Sequence, residues 1–422
     1  MRYYIKTFGC QMNERDSEKV EAILIEKNWQ KTDDPKDAEL IIVNSCAVRE
    51  KAENKIYSEI GRLKFKNRKA KVVAMGCVAQ INYEKLRKVA DIVIGTNSID
   101  EFYRVAQNVL DGVFVKKNMD STDYIFPHLK GISAFVDIMY GCDNFCTYCI
   151  VPYTRGKEIS RKKENIIEEI KQLVDTGTKE VMLLGQNVNS YGKNFNYTFV
   201  DLLYEINKID ALERIRFTTS HPKDFSKELI LAIRDLDKLC EHIHLPIQSG
   251  SNKILKLMRR KYTKEEYMEK VHEYKDTVKD GSITTDIIVG FPQETEKDFE
   301  ETLKVVEEVK YDTSFSFKFS KRPFTKAKDM DGQVDENEKL RRLNILQELQ
   351  AKITKEKLRS YKNKIVEVLV EGISKKGDQL YGRNRQNIVV NFDFMDNIKV
   401  GDVVRVRITQ ALKHSLLGKL EM

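Results

Sequence analysis

The chain has 422 residues, of which 41% are hydrophobic and 33% are charged. At roughly 150 residues per domain this length predicts two to four domains, and the composition excludes a disordered chain and a collagen-like repeat. The formal net charge of +8 is compatible with a polyanionic partner but is too small to establish one.

The sequence contains neither a membrane-spanning segment nor a secretory signal. No apolar run approaches the roughly 20 residues that a membrane span needs, and the amino-terminal MRYYIKTFGCQ lacks the features of a secretory signal. We therefore expect a cytoplasmic protein without membrane association. Its seven cysteines would stay reduced there, so they are first considered as ligands or nucleophiles.

In the first part of the chain, short apolar runs alternate with amphipathic segments. The runs with the length of buried strands are YYIKTF, LIIVN, KVVAM and DIVIG. This alternation predicts a parallel α/β domain over residues 1–115. The periodicity fades in the charged stretch that follows, which we interpret as the first domain boundary.

The same alternation recurs from Ala134 with longer spacing. Six strand candidates are present, namely AFVDIM, EVMLL, RIRFTT, HIHLP, TDIIVG and SFSFKF. Right-handed crossovers curl such a sheet, and because eight strands close a full barrel, six predict an open (β/α)6 partial barrel over residues 131–357. An open doubly wound sheet is the alternative. Both place function at the carboxyl ends of the strands.

The last part of the chain switches to alternating strands with glycine at the turns, and predicts a small β-barrel over residues 358–422. Lysine and arginine are frequent in this segment, as in domains that bind RNA phosphates, and Tyr381 is a candidate for stacking on bases. A solvated basic surface is the alternative interpretation.

Three cysteines, Cys142, Cys146 and Cys149, form the pattern C-x-x-x-C-x-x-C directly after the first strand of the central domain. A four-iron cluster normally takes four cysteine ligands, and no fourth cysteine follows nearby. The pattern therefore predicts a cluster with one iron that lacks a protein ligand. A zinc knuckle missing one ligand is the alternative.

Three dispersed cysteines, Cys10, Cys46 and Cys77, share one local context, because each follows a predicted strand. The carboxyl ends of parallel strands lie along one edge of a sheet, so the three thiols can converge there. The sequence thus predicts a second site with three thiolates, the alternative being structural burial. Cys240 has no partner at either spacing and is interpreted as a core residue.

The run MYGCDNFCTYC resembles the cluster-binding loop of the radical S-adenosylmethionine superfamily. The resemblance implies that S-adenosylmethionine chelates the free iron through its amino and carboxylate groups. It also implies that an electron from the cluster splits the sulfonium into methionine and a 5′-deoxyadenosyl radical, with an electron-donor protein as a partner. The protein's part is to exclude water and to aim the radical.

The segments around the dispersed cysteines, TFGCQMNERDS, NSCAVREKAENK and MGCVAQ, resemble the amino-terminal domain of the methylthiotransferases. The resemblance implies that Cys10, Cys46 and Cys77 hold a second 4Fe-4S cluster, again with an open iron, at the site of sulfur insertion. The resemblance extends over the whole chain, including HLPIQSGSNKIL and a terminal TRAM-like barrel with YGRN. It does not indicate which molecule supplies the sulfur.

NSCAVREKAENK and TTSHPKD are most similar to the branch of this family that acts on isopentenyladenosine. That branch implies methylthiolation of carbon 2 of N6-isopentenyladenosine at tRNA position 37, with the anticodon stem-loop as substrate and S-adenosylmethionine as methyl donor and radical source. The alternatives are a methylthiotransferase for threonylcarbamoyladenosine or for an aspartate of a ribosomal protein, and a non-catalytic iron–sulfur RNA-binding redox sensor.

Weaker candidates lie at the strand ends of the central domain. The residues that a partial barrel would bring to S-adenosylmethionine are Gln186, Asn187, Gln248, Ser249, Asp286 and Arg155. Arg155 is suited to pair with a carboxylate or phosphate, with a solvated surface arginine as the alternative. His221 is a candidate to reach the base, with a satisfied, half-buried histidine as the alternative.

One segment departs from the family pattern. Ser320–Pro323 continues with Phe324, Thr325 and Lys326, where relatives more often have Gly-Thr-Pro. We expect a different turn there and no change in the chemistry.

Overall fold

The computed structural model describes residues 1–48, 50–107, 111–117, 119, 125–374 and 377–421, with only the backbone for residues 50–53. The amino-terminal part contains β1 (Arg2–Phe8), α1 (Gln11–Glu26), β2 (Gln30–Lys31), β3 (Leu40–Ser45), α2 (Glu50–Lys66), β4 (Lys71–Gly76), α3 (Cys77–Leu86), β5 (Ile92–Ile94), α4 (Phe102–Val105) and β6 (Gly112–Phe114). These strands form one parallel sheet in the order β2-β1-β3-β4-β5-β6.

The central strand β3 shows why this sheet is covered on both faces. Its side chains alternate between two separate apolar cores, with Leu40 and Ile42 in one and Ile41 and Val43 in the other. All four are at most 3% exposed. A continuous apolar run such as LIIV is therefore satisfied only between two layers of helices, which is the predicted parallel α/β arrangement.

The central part contains β7 (Ser133–Asp137), β8 (Met139–Tyr140), α5 (Val151–Thr154), β9 (Ile159–Ser160), α6 (Lys163–Asp175), β10 (Glu180–Leu184), α7 (Phe199–Asn207), β11 (Arg214–Phe217), α8 (Lys227–Asp235), β12 (His242–His244), α9 (Asn252–Met258), α10 (Lys264–Thr277), β13 (Ser282–Val289), α11 (Glu296–Val309), β14 (Thr313–Lys318) and α12 (Glu336–Arg359). Two parallel sheets, β11-β10-β7 and β12-β13-β14, are joined by a parallel bridge between Ile215 and Leu239. The six predicted strands are confirmed, and they form the open partial barrel.

Capping side chains stabilise the first turns of several helices around this barrel. Thr198, Thr263 and Thr295 each form a capping box with the acidic residue three positions later, at the starts of α7, α10 and α11. The last of these acids, Asp298, has a second role, because its carboxylate also accepts hydrogen bonds from the Ser251 hydroxyl and the Lys253 ammonium group, both at 2.7 Å. Asp298 thereby ties the start of α9 to the start of α11.

The carboxyl-terminal strands are β15 (Ile365–Ile373), β16 (Gln379–Asn384), β17 (Val389–Asp393), β18 (Val403–Ala411) and β19 (Leu416–Leu420). They close a barrel in the order β15-β16-β17-β19-β18, which confirms the predicted small β-barrel. In β18 the side chains of Val404, Val406 and Ile408 point into the barrel core, and the alternate Arg405 and Arg407 are exposed.

The turn after β16 docks against the base of the partial barrel, where the central strands begin. Arg216 of β11 donates to the main-chain oxygens of Asn384 and Arg385, at 2.7 and 2.8 Å. Arg385 in return makes a bidentate ion pair with Glu241, which directly precedes β12. The carboxyl-terminal barrel therefore covers the end of the partial barrel where the strands begin, opposite the loop that carries Cys142, Cys146 and Cys149.

The predicted boundary stretch partly lies outside the described residues, at 118 and 120–124. Its described end is pinned, because Phe126 is buried in the amino-terminal core and His128 lies 2.6 Å from the Glu169 carboxylate. The stretch therefore also ties the two domains together, which its charged composition did not indicate. Among the described residues no helix combines the length and apolar character needed to cross a membrane.

Candidate functional site

The structure brings together the three dispersed cysteines, which we call the first trio. Cys10 precedes α1, Cys46 follows β3 and Cys77 begins α3. Because β1, β3 and β4 are neighbours in the sheet, these three positions share one edge. The Cys46 thiol hydrogen-bonds with the thiols of both Cys10 and Cys77.

Two of the three thiols in the first trio have a lowered pKa. The hydrogen bond with Cys46 lowers the pKa of Cys10 to about 7 and that of Cys77 to about 6, and the nearby Arg155 guanidinium lowers both further. The same hydrogen bonds raise the pKa of Cys46. Since the thiolate is the form that binds metal, the chain has two ready sulfur ligands here and a third beside them.

Arg155 lies beside this first trio. It follows α5 of the central domain, is 6% exposed, and pairs through two nitrogens with the Asp16 carboxylate of α1, at 2.6 and 3.3 Å. The solvated-arginine alternative is therefore wrong, and pairing with a carboxylate is what the structure shows. Arg155 links the two domains directly beside the sulfur atoms.

Cys142, Cys146 and Cys149, the second trio, lie on the loop between β8 and α5. Gly141 enters this loop with φ +73°, and a Cβ there would lie 1.9 Å from the Lys157 carbonyl oxygen. Only glycine fits such a close approach of two backbones. Burial raises the pKa of Cys149 to about 12 and also raises that of Cys142.

Arg260 is the functional candidate that the sequence did not reveal. It is buried after α9, and its Nη1 lies 3.4 Å from the Cys146 sulfur and 3.4 Å from the Tyr148 hydroxyl. Its Nε donates to the Tyr262 hydroxyl at 3.0 Å. The Arg260 guanidinium thus places a positive charge beside the sulfur of Cys146 in the second trio. A partner 114 residues away in sequence leaves no local signal.

The donor sets of the two trios fit iron–sulfur clusters. Each offers three sulfur atoms and no fourth cysteine, since the buried Cys240 lies beside Arg216 at the opposite end of the partial barrel, as expected for a core residue. Soft thiolate ligands select iron–sulfur clusters or zinc. Structural zinc sites take four protein ligands, and each trio offers three sulfur atoms, which favours a cluster with one open iron over zinc.

Two glutamines and an aspartate at the strand ends remain candidates for cofactor contacts. Gln186 follows β10, and its Oε1 is buried without a hydrogen-bond partner among the described residues. Gln248, at φ +73°, joins the end of β12 to β13 by main-chain hydrogen bonds with Asp286 and Ile288, both at 2.9 Å. Asp286 is half-buried on β13, 3.5 Å from the His244 ring.

Asn187 and Ser249 are occupied by protein partners. The Asn187 amide donates to Asp224 at 2.7 Å and accepts from the His221 main chain at 3.1 Å. Ser249 is fully buried and accepts from the main chain of Ser251 at 3.2 Å. These contacts favour support of the loops over direct contact with a cofactor.

His221 is buried more deeply than a half-buried histidine. Its Nδ1 accepts a hydrogen bond from the main chain of Lys223, while its Nε2 is buried without a partner among the described residues. Burial and the Arg260 charge lower the pKa of His221 to about 2. The ring is therefore neutral, and because Nδ1 accepts a hydrogen bond, the proton lies on Nε2, which can donate one further hydrogen bond.

Three family models match successive parts of the chain. They are the Radical SAM superfamily over residues 136–306, the uncharacterized protein family UPF0004 over residues 2–95, and the TRAM domain over residues 359–420. Among solved structures, the radical S-adenosylmethionine methyltransferase TsrM from Kitasatospora setae, with cobalamin and a 4Fe-4S cluster bound, matches with a TM-score of 0.58. At 13% identity over 78% of this chain and 77% of that one, this match shows the fold alone.

Two curated relatives match over nearly their full length. The tRNA-2-methylthio-N(6)-dimethylallyladenosine synthase of Thermodesulfovibrio yellowstonii is 47% identical over 99% of this chain and 98% of its own. The protein of the same name from Acetivibrio thermocellus is 46% identical over 99% of this chain and 90% of its own. The chain therefore belongs to the family of tRNA-2-methylthio-N(6)-dimethylallyladenosine synthases, within the radical SAM superfamily.

Proposed function

We propose that this protein is a tRNA methylthiotransferase that replaces the hydrogen on carbon 2 of N6-isopentenyladenosine, at tRNA position 37, by a methylthio group. The observation that carries the proposal is the presence of two separate cysteine trios in adjoining domains, joined by the Arg155–Asp16 pair. One trio suffices for radical formation, so the second supports sulfur insertion. The full-length relatives, named for this reaction, support the same substrate.

The second trio would hold the 4Fe-4S cluster that binds S-adenosylmethionine, and the first trio would hold the auxiliary cluster at the sulfur site. With S-adenosylmethionine bound, such a cluster supplies reductive cleavage of a sulfonium and abstraction of hydrogen from carbon, given an electron-donor protein. Arg260 keeps the Cys146 loop in place. Cys46, Cys77, Cys142 and Cys146 are buried, which limits the access of water to both trios.

For S-adenosylmethionine itself, we assign direct contacts to Gln186, Gln248 and Asp286. The unpartnered Oε1 of Gln186 supports this assignment, because a buried acceptor without a partner is costly and a ligand donor would satisfy it. Asn187 and Ser249 would hold the neighbouring loops, and Arg155 would set the charge at the first trio.

For the tRNA, we assign backbone contacts to basic residues of the carboxyl-terminal barrel. The side chains that are exposed and carry no ion pair to another described residue include Lys362, Lys399, Arg405, Lys413 and Lys419. Arg383 and Arg407 are instead paired with Glu371 and Glu421. Because phosphate contacts release counterions, affinity for tRNA should fall as salt is raised. Tyr381 is half-buried over Gly372, which supports a packing role.

The roles of the trios are tested with three cysteine variants, reconstituted without oxygen. Cys149→Ala should abolish cleavage of S-adenosylmethionine. Cys46→Ala should retain cleavage, give no methylthiolated RNA, and bind about half of the eight irons expected for two four-iron clusters. Cys240→Ala, a buried cysteine outside both trios, is the matched control and should form product. Normal methylthiolated product from Cys46→Ala contradicts the proposal.

The acceptor is tested in cells that lack the gene, by mass spectrometry of tRNA nucleosides. Loss of the methylthio group from isopentenyladenosine, with the isopentenyl group retained, is the expected result. A missing methylthio group on threonylcarbamoyladenosine or on a ribosomal protein, with isopentenyladenosine unaffected, assigns the chain to another acceptor. Unchanged modification everywhere, together with no release of 5′-deoxyadenosine in vitro, indicates a protein without turnover.

A further inference from the structure

Three large aromatic side chains, Phe145, Tyr153 and Phe324, form an exposed surface that we call the aromatic platform. Their exposed fractions are 46%, 41% and 60%. The Phe145 and Tyr153 rings meet edge to face with centroids 6.3 Å apart, and the Tyr153 and Phe324 rings stack at 5.8 Å with an interplanar angle of 29°. Single exposed aromatics are ordinary, but three in contact form a continuous apolar patch that marks an interaction site.

The platform begins inside the second trio. Phe145 lies between Cys142 and Cys146 on the cluster loop. Phe324 reaches the same loop through its own segment, because the main chain of Ala327 donates to the Thr147 carbonyl oxygen at 2.8 Å. Two of the three rings are therefore attached to the loop that would carry the radical chemistry.

The platform also reaches the first trio. Arg322, two residues before Phe324, is buried and donates to the Val48 carbonyl oxygen at 2.9 Å. The Val48 main chain in turn donates to the Cys46 sulfur at 3.3 Å. Tyr153 lies on α5, two residues before Arg155, which pairs with Asp16 and lies beside Cys77 of the first trio. The aromatic platform thus lies at the seam between the two sulfur sites.

Two of these three residues have a strained backbone conformation. Phe145 has φ +46° and Phe324 has φ +67°, in the left-handed region that a bulky side chain rarely adopts. Neither ring is buried, so core packing does not compensate for this strain. Backbone strain held beside a reactive centre is typical of a functional site.

Three lysines that lie near the platform in sequence indicate which kind of molecule binds there. Lys157, Lys321 and Lys326 lie close to it in sequence, are exposed, and have no side-chain hydrogen bond or ion pair to another described residue. Flat apolar rings flanked by free ammonium groups are the combination that binds single-stranded nucleic acid, because bases stack on the rings and phosphates approach the cations.

We propose that the aromatic platform stacks unpaired bases of the RNA loop that flank the target adenosine, and so holds this adenosine between the two trios. The proposal rests on the proposed function, since it assumes an RNA substrate. It adds the residues that position the loop, and these lie in the central domain rather than in the carboxyl-terminal barrel.

The test uses the reconstituted full-length protein and a synthetic anticodon stem-loop that carries isopentenyladenosine. Its affinity is measured by fluorescence anisotropy at one fixed salt concentration. Tyr153→Leu and Phe324→Leu, which keep an apolar side chain and lose the ring, should each bind roughly 5- to 100-fold more weakly, as expected for loss of one stacked base. Tyr153→Phe, which keeps the ring, should bind like the wild type. Phe65→Leu, at an exposed aromatic on α2 outside the platform, is the matched control and should also bind like the wild type.

A second arm changes the RNA and leaves the protein intact. A single abasic nucleotide, placed on one side of the target adenosine or on the other, should weaken binding by the wild type to a similar extent. Where the missing base is the one that stacks on the substituted ring, the abasic RNA should bind Tyr153→Leu or Phe324→Leu little more weakly than the intact RNA does, because both changes remove one interaction. Iron content is measured for every variant, so that damage to a cluster loop is recognised.

Equal affinity of the leucine variants and the wild type overturns the proposal, as do fully additive losses from ring and base removal. Loss of binding to a ribosomal protein with unchanged RNA affinity also overturns it, and assigns the platform to a protein partner. These results are distinguishable from failure of the proposed function, which would appear as no methylthiolated product from the wild type on the intact stem-loop.

Discussion

The Arg155–Asp16 pair provides a direct test of how the two domains are held together. Both side chains are almost completely buried, with exposed fractions of 5% and 1%. Replacing Arg155 by Met keeps most of the volume of the side chain and removes its charge. The Asp16 carboxylate would then remain in a buried position without its partner.

The expected cost follows from burial. Breaking a buried ion pair by removing one partner destabilises a protein by about 3–5 kcal/mol, because the remaining charge is not solvated. Replacing Asp16 by Asn in the same chain removes that charge, so the double variant should recover much of the loss. The comparison therefore separates an unpaired buried charge from general damage to packing.

Urea unfolding followed by fluorescence measures this effect in the right domain, because Trp29 is the single tryptophan and is buried in the amino-terminal core. Arg341→Met, which removes an exposed ion pair with Glu296, is the control and should leave the midpoint unchanged. The reasoning is refuted if Arg155→Met costs less than about 1 kcal/mol, the usual value for an exposed pair, or if the double variant is no more stable than the single one.

Two further changes test other parts of the site. Burial raises the pKa of Asp298, but its hydrogen bonds outweigh burial and hold that pKa below the ordinary value. The stability that Asp298 contributes is therefore present near neutral pH and lost as the pH falls below about 4. In urea unfolding, Asp298→Asn should be less stable than the wild type at pH 7, with a gap that narrows toward pH 3; a constant gap contradicts this. Gly141→Ala should place a methyl group against the Lys157 carbonyl oxygen, halve the bound iron and abolish cleavage of S-adenosylmethionine. Gly61→Ala, on α2 with open space around it, is the control and should keep all of its iron.

The elements that sequence alone predicted are those whose signal is local. Apolar runs predicted the six central strands, and the amphipathic segments between them predicted the helices. The convergence of Cys10, Cys46 and Cys77 followed from the rule that parallel strands end along one edge. In both cases the information lies within a few residues of the element or in a general rule of topology.

The contacts that sequence did not predict join distant segments. Arg155 was expected near S-adenosylmethionine, and its pairing with Asp16 depends on how two domains pack, which no periodicity encodes. Arg260 reaches Cys146 across a separation of 114 residues. Asn187 and Ser249 lie after the ends of central strands, as the sequence indicates. Their hydrogen-bond partners within the protein became visible only in the structure.

The docking of the turn after β16 has a consequence for experiments that shorten the chain. Arg216 and Glu241 fasten that turn to the beginnings of the central strands, so the carboxyl-terminal barrel supports the end of the partial barrel opposite Cys142, Cys146 and Cys149. Deleting residues after Tyr361 would leave the buried Arg216 without two main-chain acceptors and would also remove the basic residues proposed to bind tRNA. Such a truncation therefore cannot report on RNA affinity alone.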